Sequence, residues 1–317
     1  MSPASLSPGH SALKRVVSVS LGSKTRDHRF ETDFLGQRLL IERIGTDGDL
    51  ARANGLLREL DGTVDALGLG GIALYMYAGR RRYLVRDAAR MVRGVTRTPI
   101  VDGGAIKESW ERWMITDYLP QRRGIVFREA KVLLVPAVDR FGMTEAFLAV
   151  GAEVLAGDII FGLGLPFPVR SPAVGRFLAA ILMPILSKVP YAALYPIGAR
   201  QEEITPRYEK YYAWADVIAG DFHYIRRHLP TDLQGKTVVT QSITVEDVEL
   251  LRRRRVRRLI VDFPSMGGRS FATNVLHAAV VAATGRRPEE ITHQEYVEYL
   301  LAAGMEPRVE ELTPAVG

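Results

Sequence analysis

The 317-residue sequence contains no cysteine. That absence excludes disulfides, thiolate nucleophiles, cysteine-based zinc sites and iron–sulfur clusters. Lysine is scarce as well, standing only at positions 14, 24, 107, 131, 188, 210 and 236, so most of the 42 basic residues are arginine. Arginine is too basic to shuttle protons, which leaves lysine chemistry few places. The net charge of +6 is small for the length; it suits a small anionic molecule and argues little for nucleic acid. The run Arg252–Arg255 reads as the solvated end of a helix, where cations complement the dipole. Histidines number six, and His223 and His228 are five apart, not the i, i+4 spacing of a helical metal pair; no metal is expected. Long hydrophobic runs are also missing. The most apolar stretch, FLAAILMPIL (Phe177–Leu186), covers half a membrane span, is interrupted by Pro184 and is bracketed by Arg176 and Lys188. It predicts a buried or subunit-facing helix and no membrane partner, with membrane contact as the lesser alternative. Residues 1–13 are rich in Ser and Pro without an apolar stretch, so they read as a disordered tail and not a secretory signal, with the cytoplasm as the expected location.

What is present has an ordinary globular balance, 47% hydrophobic and 25% charged, over a length that suits two domains. Val16–Gly22, Arg38–Gly45, Val64–Ile72 and Thr98–Gly104 read as strands, and Leu50–Leu60, Val85–Val95 and Ala105–Leu119 as helices. The last has Ile106, Trp110, Trp113, Met114 and Tyr118 at spacings near 3.6. LPQRRGIVFREA (Leu119–Ala130) reads as a boundary, after which a second series begins. Its strands are Lys131–Val138, Ala152–Asp158, Asp216–Phe222, Lys236–Gln241 and Arg257–Phe263; Thr244 and Asp247 open one of its helices, and others cover Met143–Gly151, Ala272–Thr284 and His293–Ala303. This alternation predicts an α/β chain. An N-terminal α/β substrate-binding domain (14–125) would precede a doubly wound Rossmann-like parallel-sheet domain (126–290), with a C-terminal helix and tail over 291–317. The second domain carries an apolar insert, 161–199, suited to a lid or a subunit interface, and a homodimer is expected.

Several residue groups could carry chemistry. A strand runs into VDRFG and a helix, and Asp158 lies nineteen residues after Asp139. A dinucleotide site uses a tight turn at a helix N-terminus and an acid about 20 residues on, which makes Asp139, Arg140, Gly142, Met143 and Asp158 candidate cofactor residues. The chain lacks G-x-G-x-x-G here, and an unoccupied strand–helix–strand unit is the plainer alternative. Asp102, in VDGGAIKESW, ends a strand before two glycines and a helix; it can face a substrate or merely cap the helix. Gly70 and Gly71 allow close backbone approach, and Arg80, Arg81 and Arg82 could bind a carboxylate or phosphate or simply be a solvated turn. SVSLGSKTRDHR offers Ser18, Ser20, Lys24 and His28 in a loop that could hydrogen-bond a polyol acid. His223 and Arg226 follow a strand at the edge of the second sheet.

The order of these motifs resembles the shikimate/quinate dehydrogenase family, including bacterial sequences labelled quinate 5-dehydrogenase. VDGGAIKESW is similar to that family's N-T-D-G-x-G-F segment, so Asp102 matches its proton-handling aspartate. NVLHAAVVAATGRRP is similar to its late helix Q-A-x-x-x-F-x-x-W-T-G, with Asn274 at the substrate-contacting glutamine. SVSLGSKTRDH faintly resembles its S-x-S-x-x-x-H loop. The resemblance implies an NAD- or NADP-dependent oxidoreductase acting on a cyclic hydroxy acid. Asp102 would work with Lys24 or Lys107 on the hydroxyl proton, Ser18, Ser20 and Asn274 would hold substrate, and Asp158 would bind the ribose. The family's G-A-G-G-x-x-x-A loop is PAVDRFGMTEA here, and its N-V-T-x-P-x-K lysine has no counterpart. The other readings are a non-enzymatic or regulatory two-domain protein binding a small anion or nucleotide-like ligand, and an enzyme using a ligand such as a methyl donor.

Overall fold

Two parallel-dominated sheets organise the chain in the computed structural model, which describes residues 12–313 apart from 79–80, 138–139, 163, 166, 191–203, 242, 264, 267–268 and 271. Arg80 and Asp139, both expected at a site, lie outside the described residues. The first sheet has the order β2-β3-β1-β4-β7, from β1 (Lys14–Ser20), β2 (His28–Phe34), β3 (Gln37–Gly45), β4 (Ala66–Gly70) and β7 (Ile100–Val101). All neighbours are parallel except the β2–β3 hairpin. Leu35 and Gly36 turn that hairpin with φ of 52° and 74°, a succession that matches the right-handed twist of the strands. Between β4 and β7 the chain forms a small hairpin, β5 (Tyr75–Ala78) with β6 (Arg81–Leu84), absent from the sequence reading.

Alternation along β1 sends Val17 and Val19 to one face, against Ala53 and Leu57 of α1 (Leu50–Leu60) and Ala88 and Met91 of α2 (Arg86–Met91). Val16 points to the other face, where the late helix α9 (Thr273–Thr284) packs. Helix α9 is buried from Thr273 to Ala282, as its nearly unbroken apolar sequence requires. The expected boundary at residue 290 lies beyond this helix, which sits on the first sheet, held at its end by Lys14 Nζ donating to Ala282 O at 2.7 Å. Gly68 and Gly103 make its seat possible. A Cβ on Gly103, whose φ is 87°, would lie 2.6 Å from Asn274 N, and one on Gly68 would meet Asn274 Nδ2 at 3.0 Å.

The second sheet has the order β15-β12-β11-β10-β8-β9, from β8 (Lys131–Val135), β9 (Glu153–Ala156), β10 (Val217–Asp221), β11 (Thr237–Gln241), β12 (Arg258–Val261) and β15 (Arg308–Glu311); β13 (Ser265–Met266) and β14 (Arg269–Ser270) form a separate antiparallel pair. The first five strands are parallel in the doubly wound order 2-1-3-4-5; β15 returns antiparallel beside β12. The last 27 residues were expected to be only a helix and tail. Instead they supply α10 (His293–Ala302), which packs into the first core, and then this edge strand. Helix α3, residues 104–123, links the two halves and contains two π-turns, Lys107–Glu111 and Met114–Tyr118. Its Trp110 is fully buried, stacks on Phe263 at 5.2 Å and donates Nε1–H to Asp262 O at 2.8 Å.

Among the described residues no helix is long and apolar enough to cross a membrane. The apolar insert forms α5 (Pro172–Leu186), opened by Ser171 capping Val174 N. It was expected to be buried or subunit-facing; one side covers a cavity and the other is exposed.

Candidate functional site

A cavity of about 270 Å³ lies between the halves, on the carboxyl-end side of both sheets, where open α/β sheets place their ligands. The first half contributes the hairpin residues Tyr75, Met76 and Tyr77 with Asp102, Lys107 and Glu108. From the second come Pro136 and Ala137 after β8, Gly142 and Thr144 of α4 (Phe141–Ala149), and Asp158, which opens a π-turn after β9. Helix α5 roofs it with Leu178, Ala179, Leu182, Met183 and Leu186. The roof is fastened at both ends: Ala156 N donates to Val169 O at 2.9 Å, and Arg86 N, at the start of α2, donates to Ser187 O at 2.8 Å.

The lining is mainly apolar with a polar floor. Asp102 Oδ2 accepts from Leu74 N at 2.7 Å and Oδ1 from Gly104 N at 2.8 Å, so it caps its helix and faces the cavity at once. Burial, with Asp102 and Glu108 nearby, pushes the Tyr77 phenol up to about 12, leaving it protonated and able to donate. Burial also raises Glu108, against the opposing pull of Arg112 and of a hydrogen bond from Gly142 N–H. Behind the floor, His277 is buried on α9. Its Nε2 pairs with Tyr296 OH at 2.8 Å, while Nδ1 has no hydrogen-bond partner. Burial depresses its pKa to about 4, with the field of Asp102 acting the other way.

The switch point of the second sheet, between β8 and β10, is where a doubly wound fold opens a crevice. Here the chain's own Arg140 fills it. The guanidinium is fully buried, pairs with Glu111 of α3, and reaches Asp221 at the end of β10 at 3.5 Å. Asp262, after β12, completes the group. Burial first, then the neighbouring Glu111 charge, raise its carboxyl well above the usual range, opposed by Arg140 and Lys107. With Asp262 neutral, the charges of Arg140 and Lys107 stand against those of Glu111 and Asp221.

Arg140 is a buried ion-pair partner, and Met143 lies wholly in the core. Gly142 does not open space for a pyrophosphate: a Cβ there would meet Glu108 Cα at 2.9 Å. The N–H at the start of α4, which would serve an anion, is taken by the Glu108 carboxylate. Asp158 lines the cavity and accepts from Ala137 N at 3.0 Å. His223 sits on α7 (Phe222–Arg227), its N–H bound to Asp221 at 2.9 Å, away from the cavity lining.

Of the expected catalytic and substrate residues, Asp102 and Lys107 come together at the cavity. The other described ones sit elsewhere. Ser18 and Asn274 are buried and bond to each other at 2.6 Å, tying β1 to α9. Ser20 is buried and accepts from Arg43 Nη2 at 3.0 Å. Gly70 and Gly71 pack on Ser20 and Gly22, so their missing side chains serve chain-to-chain contact. Lys24 is exposed beside Asp47, and His28 Nδ1 pairs with Arg26 O at 2.9 Å on the edge strand. Arg82 stacks over Tyr75 at 4.8 Å and Arg81 is exposed. The sequence reading missed Tyr77, Glu108 and His277. Tyr77 lies between Gly71 and Arg80, both expected at the site.

Residues 105–312 match the family described as a domain of unknown function, DUF8754, and the chain belongs to that family. Residues 15–102 match a second domain of unknown function, DUF8753. No curated protein matches the sequence. Among solved structures, the chain is similar to GanP, a glucose-galactose binding protein from Geobacillus stearothermophilus (10% identity, 97% of this chain and 100% of that chain, TM-score 0.36). It is also similar to a sugar ABC transport system substrate-binding protein from Bordetella parapertussis (12%, 81% and 77%, TM-score 0.35). A third similar structure is shikimate dehydrogenase from Aquifex aeolicus (9%, 90% and 97%, TM-score 0.35).

Proposed function

We propose that the protein binds a small, largely apolar molecule in the cavity between its halves, through a single hydrogen-bonding head on the Asp102–Tyr77–Glu108 floor. The observation that carries this reading is the cavity itself, apolar under α5 and polar at one end. Its size, near the lower end of the roughly 300–1,000 Å³ of ligand pockets, suits a metabolite with one ring. The carboxyl groups of Asp102 and Glu108 favour a head that donates hydrogen bonds, an alcohol or an amine, and an alcohol also accepts from the Tyr77 phenol or Lys107.

Thermal melting with cyclohexanol, cyclohexylamine, shikimate and quinate tests it, on the wild type and on Leu182→Trp, which fills the space under the roof. A ligand at 100 times its Kd should stabilise the fold by about 2.7 kcal/mol, and the shift should vanish in the variant. An equal shift in both proteins, or none from any of the four probes, would sink the reading.

A second reading keeps the oxidoreductase. It is favoured by Asp102 and Lys107 meeting at the cavity, where a base for a hydroxyl proton would be needed. Glu108 occupying the α4 N-terminus weighs against a dinucleotide held there. NAD and NADPH belong in the same melting series: a shift with either one supports this reading.

A further inference from the structure

From Ile159 to Gln201 the sequence has no Asp or Glu, and its charged residues are Arg170, Arg176, Lys188 and Arg200. The described part of this segment carries Leu165, Phe167, Val174, Phe177, Ile181 and Ile185 as exposed large hydrophobics, six of the eleven found among the described residues. Phe177 is 65% and Phe167 64% exposed. On α5 the spacing 174, 177, 181, 185 draws one stripe along the outer face, and Lys188 extends it past the C-terminal end. The inner face is already committed to the cavity, so the helix is apolar on both sides with only one covered. Such a concentration of apolar surface marks an interaction site.

We infer that the outer face of α5 docks on an anionic lipid surface. The helix has 15 residues, about 22 Å at the α-helical rise, and contains Pro184; it is too short to span and has the length to lie in the plane of the interface. Phe177, Ile181 and Ile185 enter the acyl boundary, while Lys188, just past the end of the helix, stands at its rim among the headgroup phosphates. Charge decides against a second copy. A two-fold contact sets the same patch against itself, with no acid in the segment to pair with Lys188 of the second copy. An anionic bilayer supplies the opposite sign. The net charge of +6 has the sign such a surface attracts.

The absence of cysteine makes the test direct. Phe177→Cys and, as a control on another exposed apolar side chain, Val126→Cys are labelled with the environment-sensitive dye NBD. Each is mixed with vesicles of phosphatidylglycerol and phosphatidylcholine, or of phosphatidylcholine alone. The expected result is a blue shift and severalfold brightening at position 177 with anionic vesicles only, weakened by salt, with position 126 unchanged. In unlabelled protein, Phe177→Glu with Ile185→Glu should lower vesicle co-sedimentation at least tenfold without moving the melting temperature. An unchanged spectrum at position 177, or an equal change at 126, would overturn the proposal. So would concentration-dependent dimerisation abolished by the same glutamates, which would assign the face to a second copy.

Discussion

Replacing Arg140 by Met should destabilise the protein more than any nearby surface change. Met keeps much of the volume and removes the charge, so the effect isolates electrostatics. The guanidinium lies 3.5 Å from Asp221 and closer still to Glu111, with no exposure. At an effective dielectric constant of about 20, one contact at that distance is a gross attraction of about 5 kcal/mol, most of it spent on desolvation in the intact protein. Removing one partner of a buried pair leaves the other uncompensated, and the net loss is about 3–5 kcal/mol. Stranded carboxylates can be neutralised by protonation, which raises their folded pKa. The variant then binds more protons folded than unfolded, so its deficit should be largest at pH 8 and shrink towards pH 5. Urea denaturation across that range reads the deficit. Adding Glu111→Gln should recover part of it by removing one stranded charge. A loss below about 1 kcal/mol at pH 7, or a double variant weaker than Arg140→Met, would refute this account of the cluster.

Asp262 holds its proton in the fold at pH values where the unfolded chain has lost it, so its contribution falls as pH rises above the unfolded value of about 3.9, at about 1.4 kcal/mol per pH unit until the folded pKa is reached. Asp262→Asn, neutral and of the same shape, should therefore be more stable than wild type at pH 7 and lose that advantage near pH 4, as urea midpoints will show. His277, depressed to about 4, refuses a proton that the unfolded chain takes at about 6.5; stability should drain away as pH falls between those values, by about 3 kcal/mol in all. NMR of the ring should show a midpoint below 5, and a midpoint above 6 would contradict its burial. Asn274→Ala should cost about 1–3 kcal/mol through the lost 2.6 Å bond to Ser18, seen as a lower urea midpoint.

The doubly wound order was legible because strand and helix periods differ and their alternation is local. Thr244 and Asp247 form the expected capping box, and Asp102 stands where a strand meets a glycine turn. Less legible was anything that depends on which layer an element joins. Helix α9 follows the second sheet's strands in sequence, and only Gly68 and Gly103 opposite its start explain its place on the first. Arg140 read as part of a cofactor loop because its neighbours suggested a helix start; its real partner, Glu111, lies 29 residues away. His28–Phe34 alternates as an edge strand does, yet its charges hid the strand, and His28 read as part of the loop that ends at Arg29. Ser18 and Asn274, expected to hold substrate, spend their polar atoms on each other.

The return of α9 and α10 to the first core has a practical consequence for anyone cutting the gene. The two family matches meet between residues 102 and 105, and that seam separates sequences without separating folding units. A fragment starting at 105 would carry α9 stripped of β1 and β4, leaving a helix apolar on nearly every side in water. One ending at 102 would leave the opposite face of its sheet bare. Neither piece should be soluble alone, whereas the two made together should reassemble, with Asp102 and Lys107 brought to one cavity from separate chains.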